Sequence, residues 1–189
     1  MRRRGLLYPA VVALIAVVLG LLLTRDPDPA VEEVDAPEER PDFFFEGFRT
    51  VSHDADGRPE GTLRGTTAHH YPGPEELRIQ DPDLTLRSRD GLVWEGQAPR
   101  GTAWQGRGEI LLHERVAIQR PPQNARPPLE ILTRDLLVDL EAGEARTDAP
   151  VRARDPAGVV HGVGMTLDYR ADRLRLHAEA RGTYEFPNR

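Results

Sequence analysis

Residues 174–186 read LRLHAEARGTYEF, and this stretch decides the fold class. Leu174, Leu176, Ala178, Ala180, Gly182, Tyr184 and Phe186 alternate with Arg175, His177, Glu179, Arg181, Thr183 and Glu185. A period of two is the signature of a β-strand with one buried face. A slip of one residue would turn every apolar group outward, so the register is strongly specified. At ~3.3 Å per residue the strand would run roughly 40 Å, well beyond the usual 5–6 residues. A strand this long near the chain end is expected at the edge of a sheet.

The same period recurs upstream, divided by turn signals. Residues 48–53, 61–70, 77–79, 84–87, 92–95, 101–105, 110–112 and 116–120 read as strands, as do 131–133, 136–140, 151–154 and 165–169. Asp54-Ala55-Asp56-Gly57 and Asp90-Gly91 are turn sequences, and residues 121–128, with four prolines, form a loop. No amphipathic helix interrupts the series after Asp42. More than ten short strands predict an all-β domain of sandwich, jelly-roll or barrel type.

What precedes the domain is different. Residues 5–23 (GLLYPAVVALIAVVLGLLL) carry no charge and have about the length needed to cross a bilayer. Arg2, Arg3 and Arg4 precede them, and residues 24–42 follow with eight carboxylates against Arg25 and Arg40. Positive charge stays on the cytoplasmic side, so the N-terminus is expected there and the domain on the far side of the membrane. The apolar run is longer than a signal-peptide core, and Thr24-Arg25-Asp26-Pro27 is a poor cleavage site, which favours a retained single-pass anchor. Pro27, Pro29, Pro37 and Pro41, with repelling acids, make residues 24–41 an extended spacer. The organisation expected is cytoplasmic N-terminus and anchor over 1–23, linker over 24–41 and a β domain over 42–189.

Several function classes are excluded. The chain has a formal net charge of −6 and places only three arginines before the anchor, so nucleic-acid binding is not expected. There is no cysteine. Neither serine, Ser52 nor Ser88, stands in a nucleophile-elbow sequence. His69 and His70 are adjacent, so in a strand they point to opposite faces; the other histidines lack ligand spacing. Asp54-Ala55-Asp56-Gly57 lacks the later ligands of a calcium loop. Gly162-Val163-Gly164 lacks the strand–helix context of a phosphate-binding loop. No catalytic residue, metal or cofactor is expected.

A set of motifs in fixed order resembles one family. After the Arg-led anchor come Pro41-Asp42-Phe43-Phe44 with Asp54 to Gly57, then Ala68-His69-His70-Tyr71-Pro72 followed by Asp81-Pro82-Asp83-Leu84-Thr85-Leu86. Trp94, LLHERVAI over 111–118, Thr133 to Val138, Thr147-Asp148-Ala149-Pro150-Val151, Gly162-Val163-Gly164-Met165 and the closing strand complete the set. In order and spacing they resemble the LptC family, the bitopic subunit of lipopolysaccharide export. Glu114 departs from the pattern, standing where many members carry glycine.

The resemblance implies a twisted β-jelly roll of antiparallel strands with a slit between two sheets, and it implies that lipopolysaccharide acyl chains lie in that slit without covalent chemistry. Phe48, Ile79, Leu84, Ile118, Leu174, Leu176 and Tyr184 are the expected lining. It further implies that the anchor associates with the inner-membrane ATP-binding-cassette subunits LptB, LptF and LptG. The terminal strand, through Leu174, Leu176, Ala178, Ala180 and Tyr184, is expected to pair with a periplasmic LptA-like jelly roll. A membrane-tethered structural domain with an ordinary closed core is the competing reading.

Overall fold

The computed structural model describes residues 40–184, apart from 54, 55, 89 and 124. The expected anchor, most of the linker and residues 185 and 186 of the closing strand lie outside the described residues. Among those described, no helix is long and apolar enough to cross a membrane.

Eleven antiparallel strands form one continuously hydrogen-bonded sheet: β1 (Phe43–His53), β2 (Pro59–Tyr71), β3 (Glu76–Gln80), β4 (Asp83–Arg87), β5 (Val93–Gln97), β6 (Arg100–Trp104), β7 (Glu109–Arg120), β8 (Leu129–Asp139), β9 (Glu144–Asp155), β10 (Gly158–Asp168) and β11 (Arg173–Tyr184). The only helical element described is a 3-10 turn at Gln105–Arg107. The all-β expectation holds, but the segmentation differs. Residues 110–112 and 116–120 belong to the single strand β7, and residues 131–133 and 136–140 to β8. β9 and β10 likewise extend well beyond their predicted segments.

Each long strand turns a corner near its middle. Gly47 (φ 58), Glu114 (φ 63), Asp135 (φ 47), Gly164 (φ 70) and Glu179 (φ 52) are left-handed residues inside β1, β7, β8, β10 and β11. Register shifts fall at the same level in the β7–β8, β8–β9, β9–β10 and β10–β11 pairings. In β2 the corner is the step from residues 61–64, which pair with β4, to 67–71, which pair with β3. The line crosses the short strands through two loops, joined by Asp81 N–H to the Pro99 carbonyl (2.9 Å) and Ala98 N–H to the Pro82 carbonyl (3.3 Å). Bulges and left-handed residues bend a strand and sharpen its twist. A whole row of them folds one sheet into two facing halves.

The first half holds β3, β6 and residues 109–113, 136–139, 144–147, 165–168 and 173–176. The second holds β4, β5 and residues 115–120, 129–134, 150–155 and 158–163. Ile79, Ile110, Leu112, Leu136, Val138, Ala145, Met165 and Leu167 from the first half meet Leu84, Leu86, Trp94, Val116, Ile118, Ile131, Val151 and Ala153 from the second in one core. β1 pairs only with β2, and β11 only with β10, so the described sheet ends in two free edges.

Glu114 adopts the left-handed conformation that glycine reaches most easily. A non-glycine residue there costs roughly 1–2 kcal/mol. Local contacts offset it: the Glu114 N–H donates to Asp135 Oδ1 at 2.8 Å, and Arg100 Nε donates to the Glu114 carboxylate at 2.9 Å. Asp tolerates the left-handed region better than most residues. Asp135→Ala removes the acceptor and leaves a left-handed alanine, so it should cost about 1–2 kcal/mol in urea unfolding. Asp135→Asn, which keeps an acceptor and tolerates the conformation, should lose clearly less.

Candidate functional site

The space between the two halves is filled at its centre and opens toward its margins. At the centre Leu84, Leu86, Trp94, Ile118, Leu136, Val138, Leu167 and Tyr169 surround a void of only about 20 Å3, little more than one water. Toward β1 and β2 the halves part around an apolar cavity of about 300 Å3. Leu63, Leu84 and Leu86 face Leu77, Ala103, Ile110 and Leu140 across it, with Thr50 and Ser52 at the rim.

At the β1 edge, Phe45 pairs with fully buried Ala68, and Phe43 pairs with His70, itself opposite Leu77. Directly paired residues share a face, so Phe43 and Phe45 lie on the inner side. They nevertheless remain 44% and 47% exposed, because no further strand among the described residues covers them. Phe48 continues the run, its ring 6.4 Å from Phe45. It rests over Gly65, where an added Cβ would come within 2.6 Å of the Phe48 ring and 2.7 Å of Ile79. Glycine at 65 is therefore what lets the ring reach the core.

The β11 edge repeats the arrangement. Leu174 and Leu176 pair with buried Leu167 and Met165 and pack against the core. Past the corner Gly182 pairs with Val160, Tyr184 pairs with Gly158, and the Tyr184 ring lies beside Gly182. Ala178, Ala180, Gly182 and Tyr184 are all exposed, Tyr184 by 59%. The regular alternation expected for the closing strand is broken: Glu179 is left-handed, and the register to β10 shifts beside it. The corner that bends every long strand bends this one too.

The expected lining residues thus fall into separate places. Phe48, Leu174, Leu176 and Tyr184 stand at the two margins. Leu84 borders both the cavity and the closed centre. Ile79 and Ile118 are buried in the core, 3% and 4% exposed. Sequence reasoning passed over Phe43 and Phe45, although three consecutive phenylalanines after the spacer, read at period two, point to them. It also passed over Leu63 and Leu140, whose approach depends on the fold.

Opposite the corners, the strand ends of the two halves meet and are laced by charge. Arg170, in the β10–β11 turn, donates to Glu60 at the start of β2 through Nε (2.9 Å) and Nη2 (2.5 Å), and to the carbonyls of Leu140 and Glu141. Asp172 of the same turn takes ion pairs from Arg120 and Arg126. Burial alone would lower the Arg170 pKa, but the hydrogen bond to Glu60 together with the charges of Tyr169, Glu60 and Asp168 outweighs it, and the net shift is upward. Tyr169, fully buried beside this lacing, has its phenol pushed up to about 12, chiefly by desolvation. Among the described residues no cluster of His, Cys, Asp and Glu suits a metal ion.

With this geometry in view, the comparisons are specific. The family model described as lipopolysaccharide-assembly, LptC-related, matches residues 9–185. The chain belongs to the LptC family. No curated protein matches it in sequence. Among solved structures it is similar to LptH, the LptA-homologous periplasmic component of the lipopolysaccharide transport device from Pseudomonas aeruginosa. The TM-score is 0.54 at 6% identity, over 66% of this chain and 94% of that one. At that identity the likeness is one of fold: an antiparallel jelly roll of the LptA type. Membership in the LptC family carries a role in lipopolysaccharide transport, and the family is a transport component rather than an enzyme family.

The phenol of Tyr169 supplies a pH test of the closed centre. Its pKa is raised on folding, so the neutral form is the one the fold favours. The stability it contributes is complete below pH 10, its ordinary value, and is lost as pH rises toward about 12. Tyr169→Phe should leave urea stability nearly unchanged near neutral pH, because its hydroxyl reaches the Leu140 carbonyl at only 3.5 Å. Above pH 10 the variant's stability should decline less steeply than that of the parent.

Proposed function

We propose that this chain is a lipopolysaccharide relay. Residues 5–23 anchor it in the inner membrane beside an ATP-binding-cassette transporter of LptB, LptF and LptG, with the N-terminus in the cytoplasm and the jelly roll in the periplasm. The domain takes lipid from the transporter and passes it to an LptA-like jelly roll, with the acyl chains between the sheet halves. The terminal strand β11 adds an edge to which the recipient pairs, a recurrent mode of recognition.

One observation carries this reading. Both ends of the sheet expose apolar groups on the inner face, Phe43 and Phe45 on β1 and Tyr184 on β11, beside unpaired backbone edges. Natural proteins blunt, cover or charge their free edges, and exposed apolar surface rimmed by polar groups marks interaction sites. A jelly roll stacked on either edge would cover these residues and continue the apolar interior. Phe48, Leu84, Leu174, Leu176 and Tyr184 line that route; Ile79 and Ile118 support it from the core. Leu176, Ala178, Ala180 and Tyr184 lie along the receiving edge with Leu174.

The tightly filled centre is the specific observation behind the competing reading, a tethered structural domain with an ordinary core. The two readings differ in what touches lipid. Photo-crosslinking residues at Leu140, Leu176 and Tyr184, on the inner face, should trap lipopolysaccharide in cells with an active transporter. The same groups at Arg152 and Arg175, on the outer face, should not. Equal capture from both faces, or none from either, would leave the structural reading standing.

A further inference from the structure

The turn between β10 and β11 holds an arrangement that stability alone does not account for. Asp172 is left-handed (φ 53), and its carboxylate is 4% exposed. Two guanidiniums converge on it, Arg120 from the end of β7 and Arg126 from the following loop. Arg120 Nη2 also donates to the Pro127 carbonyl at 3.1 Å, but Arg120 Nε is buried without a partner among the described residues. The neighbouring indole Nε1 of Trp94, whose ring lies 5.4 Å from the Arg120 guanidinium, is also buried and unpartnered.

Among the described residues, Asp172 itself therefore meets more donors and more positive charge than one carboxylate can use. Each guanidinium carries about five N–H donors. A buried ion pair is a weak stabiliser against an apolar replacement, and buried orphan donors are costly. An acceptor-rich anion fits better than a carboxylate: a phosphate monoester carries roughly −1.5 to −2 charge and three acceptor oxygens. Arginine pairs, with their planar forks, are the usual partners of such groups. Access is provided as well. Arg120 borders a groove of about 610 Å3 at the strand ends of the second half, which also holds Pro122, Leu129 and Arg154 together with two carboxylates, Glu130 and Asp155.

We infer that Arg120 and Arg126 form a binding site for a phosphate group of the transported lipid, with Asp172 as its internal stand-in. Phosphate arriving from the groove takes the two guanidiniums from Asp172, and Arg120 Nε gains an acceptor. The β10–β11 turn then loses half of its lacing and keeps the Arg170–Glu60 pair. The lips opposite the corners part beside the closed centre, which admits acyl chains there. The inference rests on the relay reading and names the part of the lipid that is recognised.

The test uses the full chain in detergent micelles with Trp104→Phe, so that Trp94 emission reports on the site. It is titrated with lipopolysaccharide, with the same lipopolysaccharide stripped of phosphate, and with inorganic phosphate. Arg126→Gln should weaken binding of the intact lipid about tenfold, equivalent to one charged hydrogen-bonded contact. Asp172→Asn should tighten it several-fold by removing the competing carboxylate. Neither change should alter binding of the phosphate-free form. Arg126 is half exposed, so that variant keeps the test readable if Asp172→Asn fails to fold.

Unchanged affinity in Arg126→Gln, or an equal effect on the phosphate-free lipid, would overturn the site and leave the relay reading intact. Saturation by inorganic phosphate at micromolar concentration would overturn the assignment to a lipid-borne group. Absence of binding by every form of lipid would overturn this inference and the relay reading together.

Discussion

The structure depends on one row of corners. A sheet of eleven strands with period-two alternation would otherwise be an open layer with one apolar face in water. Bending every long strand at the same level sets that face against itself, and the core follows: Ile110 and Leu112 before the corner of β7 meet Val116 and Ile118 after it. The conformations that achieve this are locally unfavourable wherever the residue is not glycine. They persist because the ladder on either side fixes them and because neighbours such as Asp135 supply hydrogen bonds. Among the described residues, β1 and β11 each pair on one side only and keep free edges.

Those edges and the filled centre pull in different directions. The margins present phenylalanine and tyrosine on the inner face with no strand among the described residues to cover them, and the middle is packed to within about 20 Å3. A continuous apolar passage through the domain therefore requires the halves to separate along the side opposite the corners. Charge laces that side, through Glu60, Arg120, Arg126, Arg170 and Asp172, beside the buried Tyr169. In the relay reading these buried pairs are the contacts that must exchange partners for the halves to part.

The β class was legible because alternation is a local property of the chain, although in β11 it is interrupted at Glu179; the edge position was legible from the length of the strand. The number and length of strands were not. In β8 the inward positions run Ile131 and Thr133, then Leu136 and Val138, so the parity flips across Asp135. A sequence pattern read residue by residue takes such a flip for a turn, when it is a bend inside one strand. The family resemblance carried the jelly roll where periodicity could not distinguish it from a sandwich or barrel.

The candidate site divides the same way. Leu174, Leu176 and Tyr184 were legible by their spacing, and Phe48 by its place in the first strand. Ile79 and Ile118 share that apolar periodicity but lie in the core, because alternation identifies an inward face and says nothing of whether space is left in front of it. The pairing of Arg120 with Asp172 spans 52 residues and has no local signature at all. The central claim is that lipid occupies the space between the sheet halves. Native mass spectrometry of the full chain, extracted from membranes in mild detergent, measures it most directly. The account predicts a lipopolysaccharide adduct that is lost when Leu140 is replaced by arginine in a folded protein. A folded chain that carries no such adduct, or an adduct indifferent to that replacement, would contradict it.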